Sequence, residues 1–519
     1  MAIRIYNTLT RRKEEFVPLA PGKVGIYSCG PTVYDYFHIG NARAFVVPDV
    51  IRRYLEYRGY DVTLVQNITD IEDKIIRRAA ERGVSTQEIV DEYTQAFYLD
   101  RDALGIRPPN IQPRATEHVR DIIKMIEVLI ERGLAYASGG DVYYDVSEFR
   151  EYGKLSNQNL DDLKAGARAE VGESKDAPLD FALWKAAKPG EPAWESPWGP
   201  GRPGWHIECS VMSSKYLGET FDIHTGGVDL VFPHHENEIA QSEGASGKPF
   251  VRYWVHNGYV NIDGQRMGKS LGNFKTVRDI LKQYPGRVVR YFLIANHYRK
   301  PINFSDEELG MCARALSRLE DAVANAAHAA GLNLGNLDAV RAAAGGADAG
   351  VLAGGPGSEP ADSTSGAKGL ERAVEDARKL FEESMDDDFN TAGAMAALHD
   401  LATGINTYVN EKMPGDPEHV GRAAVARAVL AMLQLGNVIG VLEPEAFAQA
   451  IGGSGASATC ADERSGLVSS LIDLLIEVRT EARASKHYSM SDKIRDRLGE
   501  LGVIIEDTRD GVRWKFAAK

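Results

Sequence analysis

The sequence is poor in cysteine, in long apolar runs and in positive charge. Its four cysteines (Cys29, Cys209, Cys312 and Cys460) include no CxxC pair, which excludes a zinc finger or ribbon and fits a reducing, cytoplasmic setting. No apolar run approaches the ~18–20 residues that cross a bilayer, and the amino-terminal stretch lacks a signal peptide's apolar core, so we expect no membrane partner. The 60 Lys and Arg residues against 74 Asp and Glu leave a net charge of −14. This balance argues against indiscriminate coating of nucleic acid, although it does not exclude a folded RNA partner.

The amino-terminal part alternates between strand-like and helix-like patterns. VGIYS (24–28) and DVTLVQ (61–66) are β-favouring runs, and Ala42–Tyr57 between them repeats apolar residues at helical spacing. Two strands joined by a helical crossover predict a parallel sheet. Cys29 follows the first strand, at the edge where open parallel sheets bind ligands. We therefore predict an α/β fold: a Rossmann-like parallel-sheet catalytic domain with an insertion, followed by helical domains and a small carboxyl-terminal mixed domain.

Composition and turn residues predict the domain boundaries. The length indicates three or four domains. Turn-rich pieces mark an insertion in the sheet domain, and two stretches rich in Ala, Gly and Ser are typical of flexible linkers. The expected segments are 1–112 and 201–262 for the two halves of the sheet domain, 113–200 for the insertion, 263–325 for a loop and helical region, 326–369 for the first linker, 370–451 for a helical domain, 452–466 for the second linker and 467–519 for the last domain.

One block of forty residues, from Gly204 to Glu243, concentrates metal-ligating side chains. It contains thiol, imidazole and carboxylate groups, which are the protein ligands of zinc. Pro233 suits the first position of a helix, on which Glu238 could pair with His234 or with His235, and spacing alone does not choose between them. The alternative interpretation is that Cys209 is a small core residue and the histidines are ordinary polar residues.

Two further segments have features of phosphate-binding loops. CGPTVYDYFHIGN (29–41) joins a strand to a helix amino terminus, where free N–H groups and the helix dipole favour anions. Its Gly40 permits close backbone approach, and its His38 can donate to a phosphate oxygen. GQRMGKSLGN (264–273) places Arg266 and Lys269 on a glycine-rich loop, where cations suit the charge of a leaving pyrophosphate. Taken singly, the first could be a plain strand–helix turn and the second a solvated basic loop.

Together, HIGN and the later RMGKS resemble the HIGH and KMSKS elements of class I aminoacyl-tRNA synthetases. Within that class the motifs resemble those of the cysteinyl-tRNA synthetase family, over nearly the whole chain except the two linkers. PHHENE combined with GWHIECS is the most specific part. The matching segments are CGPTVYD and HIGN within 29–41, NITDIEDKI at 67–75, FALWK at 181–185, PGWHIECS at 203–210, FDIHTGGVDLVFPHHENEIAQSE at 221–243, MDDDFNT at 385–391 and SDKIRD at 491–496.

The resemblance implies one zinc ion per subunit, held by Cys29, Cys209, His234 and Glu238. Such a zinc would bind the thiolate of the substrate L-cysteine, whereas the serine hydroxyl is harder and has a much higher pKa. A pocket that relied on size alone would separate near-isosteres by only ~10–200-fold. A metal–thiolate bond avoids this limit, so the resemblance also implies that the enzyme needs no editing domain.

The same resemblance implies the rest of the active site. His38 and Lys269 would stabilise the phosphates of ATP, bound with Mg²⁺, while the substrate carboxylate attacks the α-phosphorus without an enzyme nucleophile. Asp229 would pair with the substrate ammonium and Trp205 would close one wall, although core packing is the plain alternative for Trp205. The implied substrate and ATP contacts are Gly30, Thr32, Gly40, Asn41, Thr69, Trp205, His224, Asp229, Arg266 and Lys269.

The sequence departs from the family pattern at both phosphate elements. Asn41 stands in place of the second histidine of HIGH, and it can hydrogen-bond but cannot carry a charge. Arg266 and Gly268 stand in place of Lys and Ser of KMSKS; Arg keeps the charge, whereas Gly loosens the loop. These differences affect the expected strength of individual phosphate contacts, not the expected class of reaction.

The resemblance further implies tRNA(Cys) as the acceptor. We expect a monomer, although the sequence does not decide between a monomer and a dimer. Segment 263–325 would carry the phosphate loop and contact the tRNA stem, 370–451 would be a helical tRNA-binding domain, and 467–519 would bind the anticodon. Arg and Asp can pair with base edges, and Trp can stack on a base, although a salt-bridged surface is the plain alternative. The implied anticodon contacts are Arg483, Asp492, Asp507 and Trp514.

Two other functions remain compatible with parts of this pattern. A related group of enzymes transfers activated cysteine to an amino sugar, but these enzymes lack the anticodon-binding end that this chain has. A non-catalytic tRNA-binding protein could keep the fold, but it would have no need of Lys269, His38 and a complete ligand set. The pattern therefore favours a cysteine–tRNA ligase, with cysteine, ATP and tRNA as its substrates.

Overall fold

The computed structural model describes residues 2–158, 175–266, 273–345, 365–413, 420–443, 472, 474–483, 485, 487–500, 503–508 and 511–516. The chain forms two compact units, Met1–Ile451 and Gly452–Lys519. The predicted phosphate-binding Lys269 and the predicted second linker lie outside the described residues. No helix in the described ranges is both long enough and apolar enough to cross a membrane.

The elements follow one another along the chain with strands grouped in several small sheets. The strands are β1 (Arg4–Asn7), β2 (Arg12–Glu15), β3 (Lys23–Ser28), β4 (Asp61–Gln66), β5 (Ala135–Ser138), β6 (Asp141–Tyr144), β7 (Phe181–Ala186), β8 (Gly201–Pro203), β9 (Phe221–Gly227), β10 (Val251–Asn257), β11 (Val260–Ile262), β12 (Gln265–Arg266), β13 (Ile302–Phe304), β14 (Val503–Thr508) and β15 (Gly511–Phe516). The α-helices are α1 (Ile39–Tyr57), α2 (Asp73–Arg82), α3 (Thr86–Ala103), α4 (Val119–Glu131), α5 (Trp205–Leu217), α6 (Glu236–Ser246), α7 (Val277–Leu281), α8 (Gly286–Ile294), α9 (Asp306–Ala329), α10 (Leu337–Ala343), α11 (Ser365–Asp386), α12 (Thr391–Thr407), α13 (Val420–Val438) and α14 (Tyr488–Glu500).

The first unit is built around a four-stranded parallel sheet in the order β10, β9, β3, β4. β3 and β4 pair in register from Lys23 opposite Asp61 to Ser28 opposite Gln66, which confirms the predicted parallel unit. All seven residues of β9 are buried, as expected for a central strand covered on both faces. The carboxyl ends of these four strands therefore lie along one edge of the sheet.

Helix α1 connects the first two strands of this sheet and begins three residues before the predicted start. Its apolar face, which includes Phe45, Val46, Val50 and Leu55, is buried against the sheet and against α8. The earlier start arises because the side chain of His38 caps the helix, a local contact that hydrophobic periodicity does not report.

The predicted insertion is a separate antiparallel sheet in the order β5, β6, β7, β8, packed with α4. β8 pairs with β7 from Trp184 opposite Pro203 to Ala186 opposite Gly201. The insertion sheet therefore extends to Pro203, three residues beyond its expected end, because the β-ladder continues through the turn-rich sequence before it.

Much of the predicted first linker is helical instead. α9 continues to Ala329, α10 occupies Leu337–Ala343 with Val340 fully buried, and α11 begins at Ser365. Alanine has the highest helix propensity of all residues, so an Ala-rich run forms helix wherever a residue such as Val340 can pack against a core. Only 346–364 of the predicted linker lies outside the described residues.

Helices predominate from residue 365 to residue 443, and the carboxyl-terminal unit combines helices with a two-stranded sheet. α11, α12 and α13 pack together around buried residues such as Phe381, Leu398 and Met432. In the second unit, residues 474–483 are helical, α14 follows, and β14 and β15 form an antiparallel hairpin. Ile472, Ile476, Leu498 and Val503 form its small core.

Candidate active site and metal-ligand cluster

A cleft of about 370 Å³ opens at the carboxyl edge of the parallel sheet, beside the amino terminus of α1. Its position agrees with the sheet edge predicted from Cys29. The predicted site residues that line it are Cys29, Gly30, Thr32, His38, Gly40, Asn41, Thr69, Trp205, Cys209, Asp229 and His234. His224 is not among the lining residues, because it lies behind the cleft wall and is fully buried.

Cys29, Cys209, His234 and Glu238 meet at one end of this cleft, and their ligand atoms lie within 4.8 Å of one another. The two thiol sulfurs are 4.0 Å apart, and Cys29 Sγ lies 3.7 Å from Glu238 Oε1. His234 Nε2 lies 3.0 Å from the same carboxylate oxygen. Three separate parts of the chain thus contribute to one buried group of donors.

These donors fit a zinc ion. A tetrahedral zinc with bonds of about 2.3 Å to sulfur and about 2.0–2.1 Å to nitrogen or oxygen has ligand–ligand separations of about 3.3–3.8 Å. The observed separations of 4.0, 3.7 and 3.0 Å lie close to that range. The other ring nitrogen of His234 lies 2.8 Å from His206 Nδ1, which fixes the orientation of the imidazole as a metal ligand requires. The cluster can therefore hold a metal ion.

Each of these buried groups shifts the pKa of its neighbours. A hydrogen bond from Cys29 lowers the pKa of Cys209 to about 6, whereas burial raises the pKa of the Cys29 thiol. Burial alone would lower the pKa of His234, but Glu238 and Cys209 outweigh it and raise the pKa to about 10. Burial would likewise raise the pKa of Glu238, but His224 and His234 lower it to about 2. At neutral pH these shifts leave a Cys209 thiolate and a Glu238 carboxylate beside a protonated His234, and metal binding would have to displace the proton of His234.

A second set of donors overlaps the first. Cys29 and Glu238 also lie near His224 and His235, at 3.3 Å from Cys29 Sγ to His235 Nε2 and 2.8 Å from His224 Nε2 to Glu238 Oε2. Both of these histidines are fully buried and neither lines the cleft, whereas Cys209 and His234 do. A metal in the first set would be accessible from the cleft, so the geometry favours His234 over His235.

Replacing each histidine by asparagine is expected to separate the two sets. His234→Asn should lower the zinc content per purified chain to below about a tenth, since even hydrogen-bond partners of metal ligands change affinity by ~10–100-fold. His235→Asn, at the neighbouring and equally buried position, should keep most of the metal. Elemental analysis after dialysis measures both. The assignment fails when His235→Asn loses the metal and His234→Asn retains it.

The chain kinks just before the expected helix start at Pro233. The backbone is non-helical at Phe232, with φ −137° and ψ 133°, and it is helical at His235, the residue before α6. His234 and Glu238 are four residues apart, about one helical turn, and His234 Nε2 lies 3.0 Å from Glu238 Oε1.

Gly30 and Asn67 lie just after the ends of β3 and β4, and a contact between them connects these two strand ends at the cleft wall. The Gly30 N–H donates to Asn67 Oδ1 at 2.8 Å, and a Cβ at position 30 would lie 1.6 Å from the Asn67 carbonyl oxygen. Only glycine therefore fits here. Asn67 also donates to Thr69 Oγ1 at 3.2 Å, and Thr69 in turn donates to the buried Glu208 at 3.1 Å. This chain of hydrogen bonds fixes Thr69 at the cleft wall.

Trp205 and Asp229 both line the cleft that contains the metal-ligand cluster. Trp205 is the first residue of α5, and its ring lies 4.2 Å from the His234 ring between centroids. It is 36% exposed, which disagrees with the alternative of simple core packing. Asp229 is exposed and lines the same cleft, so its carboxylate is accessible to a cationic group.

His38 and Asn41 cap each other at the start of α1. The Asn41 N–H donates to His38 Nδ1 at 3.1 Å, and the His38 N–H donates to Asn41 Oδ1 at 3.4 Å. Because Nδ1 is the acceptor, the neutral imidazole carries its proton on Nε2, which makes Nε2 the donor. Asn41 thus completes a reciprocal cap that orients His38, which gives its departure from HIGH a structural role.

The cleft is also lined by polar side chains that the sequence motifs did not single out, among them Lys74 and Asn67. Among the described residues lining it, Lys74 is the only lysine or arginine. Its Nζ lies 5.5 Å from the Tyr34 ring centroid and 6.0 Å from that of Trp205. Lys74 and Asn67 both belong to NITDIEDKI, so a polar residue of that motif at the end of β4 is the sequence signal that points to them.

The remaining predicted contacts are only partly described. Arg266 ends the short strand β12, opposite Asn261 of β11, and its side chain lies outside the description. In the second unit Arg483 is exposed, Asp492 is exposed and lies 3.5 Å from Arg495, and Trp514 lies in the hairpin and packs against its core. The side chain of Asp507 is not among those described.

Comparison with known proteins identifies the family. Residues 15–314 match the family model of the class I (C) tRNA synthetase catalytic domain, and residues 380–443 match the DALR domain. The cysteine–tRNA ligase of Symbiobacterium thermophilum is 51% identical over 521 residues, covering 100% of both chains. That of Syntrophotalea carbinolica is 50% identical over 518 residues, covering 99% of this chain and 100% of the relative.

Solved structures agree on the fold. The Mycobacterium tuberculosis methionyl-tRNA synthetase in complex with methionyl-adenylate has a TM-score of 0.57 at 16% identity, covering 83% of this chain and 93% of that chain. The Thermus thermophilus arginyl-tRNA synthetase has a TM-score of 0.51 at 14% identity, covering 84% of this chain and 85% of that chain. Both have the class I fold predicted from HIGN and RMGKS. Within that class, the whole-length identity to the two cysteine–tRNA ligases identifies the family. The chain therefore belongs to the cysteine–tRNA ligase family of class I tRNA synthetases.

Proposed function

We propose that the chain activates L-cysteine with ATP to form cysteinyl-adenylate and pyrophosphate, and then transfers cysteine to the 3′ end of tRNA(Cys). The observation that carries this proposal is the juxtaposition, in one cleft, of a thiol-rich metal-ligand cluster and the capped amino terminus of α1. The first favours a sulfur-containing substrate and the second favours a phosphate. Family membership supports the same activity.

We propose zinc as the metal, held by Cys29, Cys209, His234 and Glu238. When bound, zinc supplies a soft Lewis acid that favours a thiolate over a serine hydroxyl. The protein fixes the donors by burial and by the contact of His234 with His206. Selectivity for cysteine would then come from sulfur chemistry, in place of an editing step.

The side chains around the cleft would orient the substrates for the adenylation step. Asp229 would pair with the ammonium group of the amino acid, and Trp205 would cover it and exclude water. His38 would donate from Nε2 to a phosphate oxygen of ATP, bound as its Mg²⁺ complex. The attacking group is the substrate carboxylate, so catalysis would rest on positioning and on charge stabilisation.

We propose that the carboxyl-terminal unit recognises the anticodon. It combines an exposed Arg483 with a hairpin that carries Trp514, which are groups suited to base edges and base faces. Its charge is nearly balanced, with ten Lys or Arg against nine Asp or Glu from 467 to 519, so base recognition would not rely on strong nonspecific attraction. Cytoplasmic location and a monomeric state stay predictions from the sequence.

A two-step assay tests the proposed function. ATP–pyrophosphate exchange should require cysteine, ignore serine and be lost on chelation of the metal. The same preparation should then charge a tRNA(Cys) transcript. Exchange without charging would favour an amino-sugar acceptor, and the absence of exchange would favour a non-catalytic protein.

Lys269→Ala is expected to lower the single-turnover rate of adenylation far more than Arg266→Ala. Lys269 matches the second lysine of KMSKS, and we expect about 100-fold or more for loss of a charge that stabilises the transition state. Arg266 stands at the first position, in the strand β12 before the loop, and we expect a loss of less than about tenfold. Rapid-quench measurement of adenylate formation compares the two variants. Equal losses would contradict the ordering.

A further inference from the structure

The MDDDFN segment (385–390) covers the end of α11 and the turn before α12, and it contacts the sheet domain through three consecutive aspartates. Asp386 Oδ1 accepts a hydrogen bond of 2.6 Å from the Tyr54 hydroxyl of α1. Asp387 forms an exposed ion pair of 2.7 Å with Lys13 of β2. Asp388, the third, is fully buried. The segment therefore joins the helical domain to the sheet domain at several separate points.

Asp388 binds several residues of the turn that follows α8. Its Oδ1 accepts from the Tyr6 N–H at 2.8 Å and from the Tyr298 hydroxyl at 2.7 Å. Its Oδ2 accepts from Arg299 Nε at 2.7 Å and lies 3.4 Å from His297 Nε2. Burial alone would raise the pKa of Asp388, but these hydrogen bonds and the Arg299 charge lower it below its ordinary value. Asp388 thus contacts the side chains of all three residues from 297 to 299.

Arg43 of α1 binds the backbone of the same turn. Its guanidinium donates to the carbonyl oxygens of Lys300 at 2.6 Å and His297 at 3.2 Å. The same group also donates to the carbonyl oxygens of Gly258 at 2.9 Å and Tyr259 at 3.3 Å. Arg43 is fully buried, and no carboxylate in the described part of the chain pairs with it. Burial of an unpaired guanidinium is costly, which argues for a role that needs it.

The two carbonyls at Gly258 and Tyr259 belong to the cleft wall, which also includes Val260. This wall contacts the 297–300 turn directly. The Gly258 N–H donates to the Tyr298 carbonyl at 2.8 Å, and a Cβ at position 258 would lie 2.7 Å from the Arg299 carbonyl oxygen. β11, which begins at Val260, contacts α1, the helix whose amino terminus carries His38.

We propose that Asp388 and Arg43 are positioning residues for ATP: together they fix the 297–300 turn, and the turn fixes the cleft wall at 258–260 against the amino terminus of α1. The proposal rests on the proposed function, and it assigns the nucleotide to this wall. Asp388 comes from the helical domain, so ATP binding depends on a residue outside the sheet domain. The metal-ligand cluster uses different strands and helices, so cysteine binding does not depend on this turn.

Asp388→Asn in the full-length chain tests the proposal. Asparagine tolerates the left-handed backbone at this position, where φ is +68°, but it loses the charge and turns an N–H₂ group toward one set of its partners. In cysteine-dependent exchange we expect the KM for ATP to rise about tenfold, with kcat and the KM for cysteine within about twofold, because binding geometry is lost without loss of the thiol site. Asp387→Asn is the matched control, and we expect it to leave all three constants unchanged.

A merely structural role predicts a different pattern. Partial unfolding would lower kcat in proportion to the active fraction and leave both KM values unchanged, and that result would overturn the proposal. A parallel rise in both KM values would overturn it as well. Where Asp388→Asn fails to fold, Tyr298→Phe decides, since it removes a single hydroxyl from Asp388 Oδ1 and should raise the KM for ATP by about two- to fivefold.

A direct binding measurement separates this proposal from the proposed function. The Kd of a non-hydrolysable ATP analogue, measured by calorimetry, should rise in Asp388→Asn and not in Asp387→Asn. Absence of exchange in the unaltered protein would defeat the proposed function, whereas an unchanged Kd in Asp388→Asn would defeat the positioning role.

Discussion

Cys209→Ser is expected to abolish cysteine-dependent pyrophosphate exchange. The substitution removes one of two sulfur donors that lie 4.0 Å apart and, with it, the thiolate that attracts the metal. We expect the zinc content to fall to near zero and kcat/KM for cysteine to fall by more than about 100-fold, since groups that only support metal ligands already contribute ~10–100-fold. Exchange kinetics and elemental analysis on the same preparation measure both effects.

Cys312→Ser provides the control for this substitution. Cys312 is also buried, but it lies on α9 and belongs to neither of the two donor sets. We expect it to keep full zinc content and normal exchange. If Cys209→Ser kept its metal and its preference for cysteine over serine, the cluster would not be the site that recognises the substrate.

Removal of the carboxyl-terminal unit is expected to separate activation from charging. A chain that ends at Ile451 should keep cysteine-dependent exchange within about threefold, because every described residue that lines the cleft belongs to the first unit. Its kcat/KM for tRNA(Cys) should fall by more than about 100-fold, since contacts to unpaired bases contribute ~1–3 kcal/mol each. Charging of a tRNA transcript by the truncated chain, compared with the full chain, gives the answer.

The position of the cut matters. A cut after Leu442 would be the natural choice from the sequence, but it would remove Glu443, whose carboxylate pairs with the buried Arg53 of α1 at 2.9 Å. That cut would disturb the helix that carries His38, so a loss of exchange would be uninformative. A cut after Ile451 leaves this ion pair intact, and unimpaired charging by that protein would refute anticodon recognition by the second unit.

Local patterns were sufficient to predict the elements that carry the site. β4 occupies the predicted residues 61–66, and the strand end beside Cys29 opens into the cleft, because β-favouring apolar runs and the turn residues that bound them are properties of short segments. Sequence spacing alone does not decide whether His234 or His235 is the metal ligand, since both lie within one helical turn of Glu238. The choice required knowing which imidazole faces the cleft, and that depends on packing against distant strands.

Long-range contacts account for what the sequence did not predict. Asp388 lies hundreds of residues from Tyr6, so nothing local in MDDDFN predicts that its third aspartate is buried while its second is exposed. Arg43 resembled an ordinary charged residue of a helix, and only the fold shows that it binds four carbonyl groups. The helical ends of the predicted linker have the same origin, because Val340 stabilises α10 only through tertiary packing.

The central claim is that the metal held by Cys29, Cys209, His234 and Glu238 selects the sulfur of the substrate. Replacement of the native metal by Co²⁺ allows this claim to be tested by absorption spectroscopy, because thiolate ligands of cobalt give charge-transfer absorption in the near ultraviolet. Titration of the cobalt protein with L-cysteine should increase that absorption as a further thiolate joins those of Cys29 and Cys209, whereas L-serine should leave the spectrum unchanged. An unchanged spectrum with both amino acids, at concentrations that support exchange, would contradict the claim.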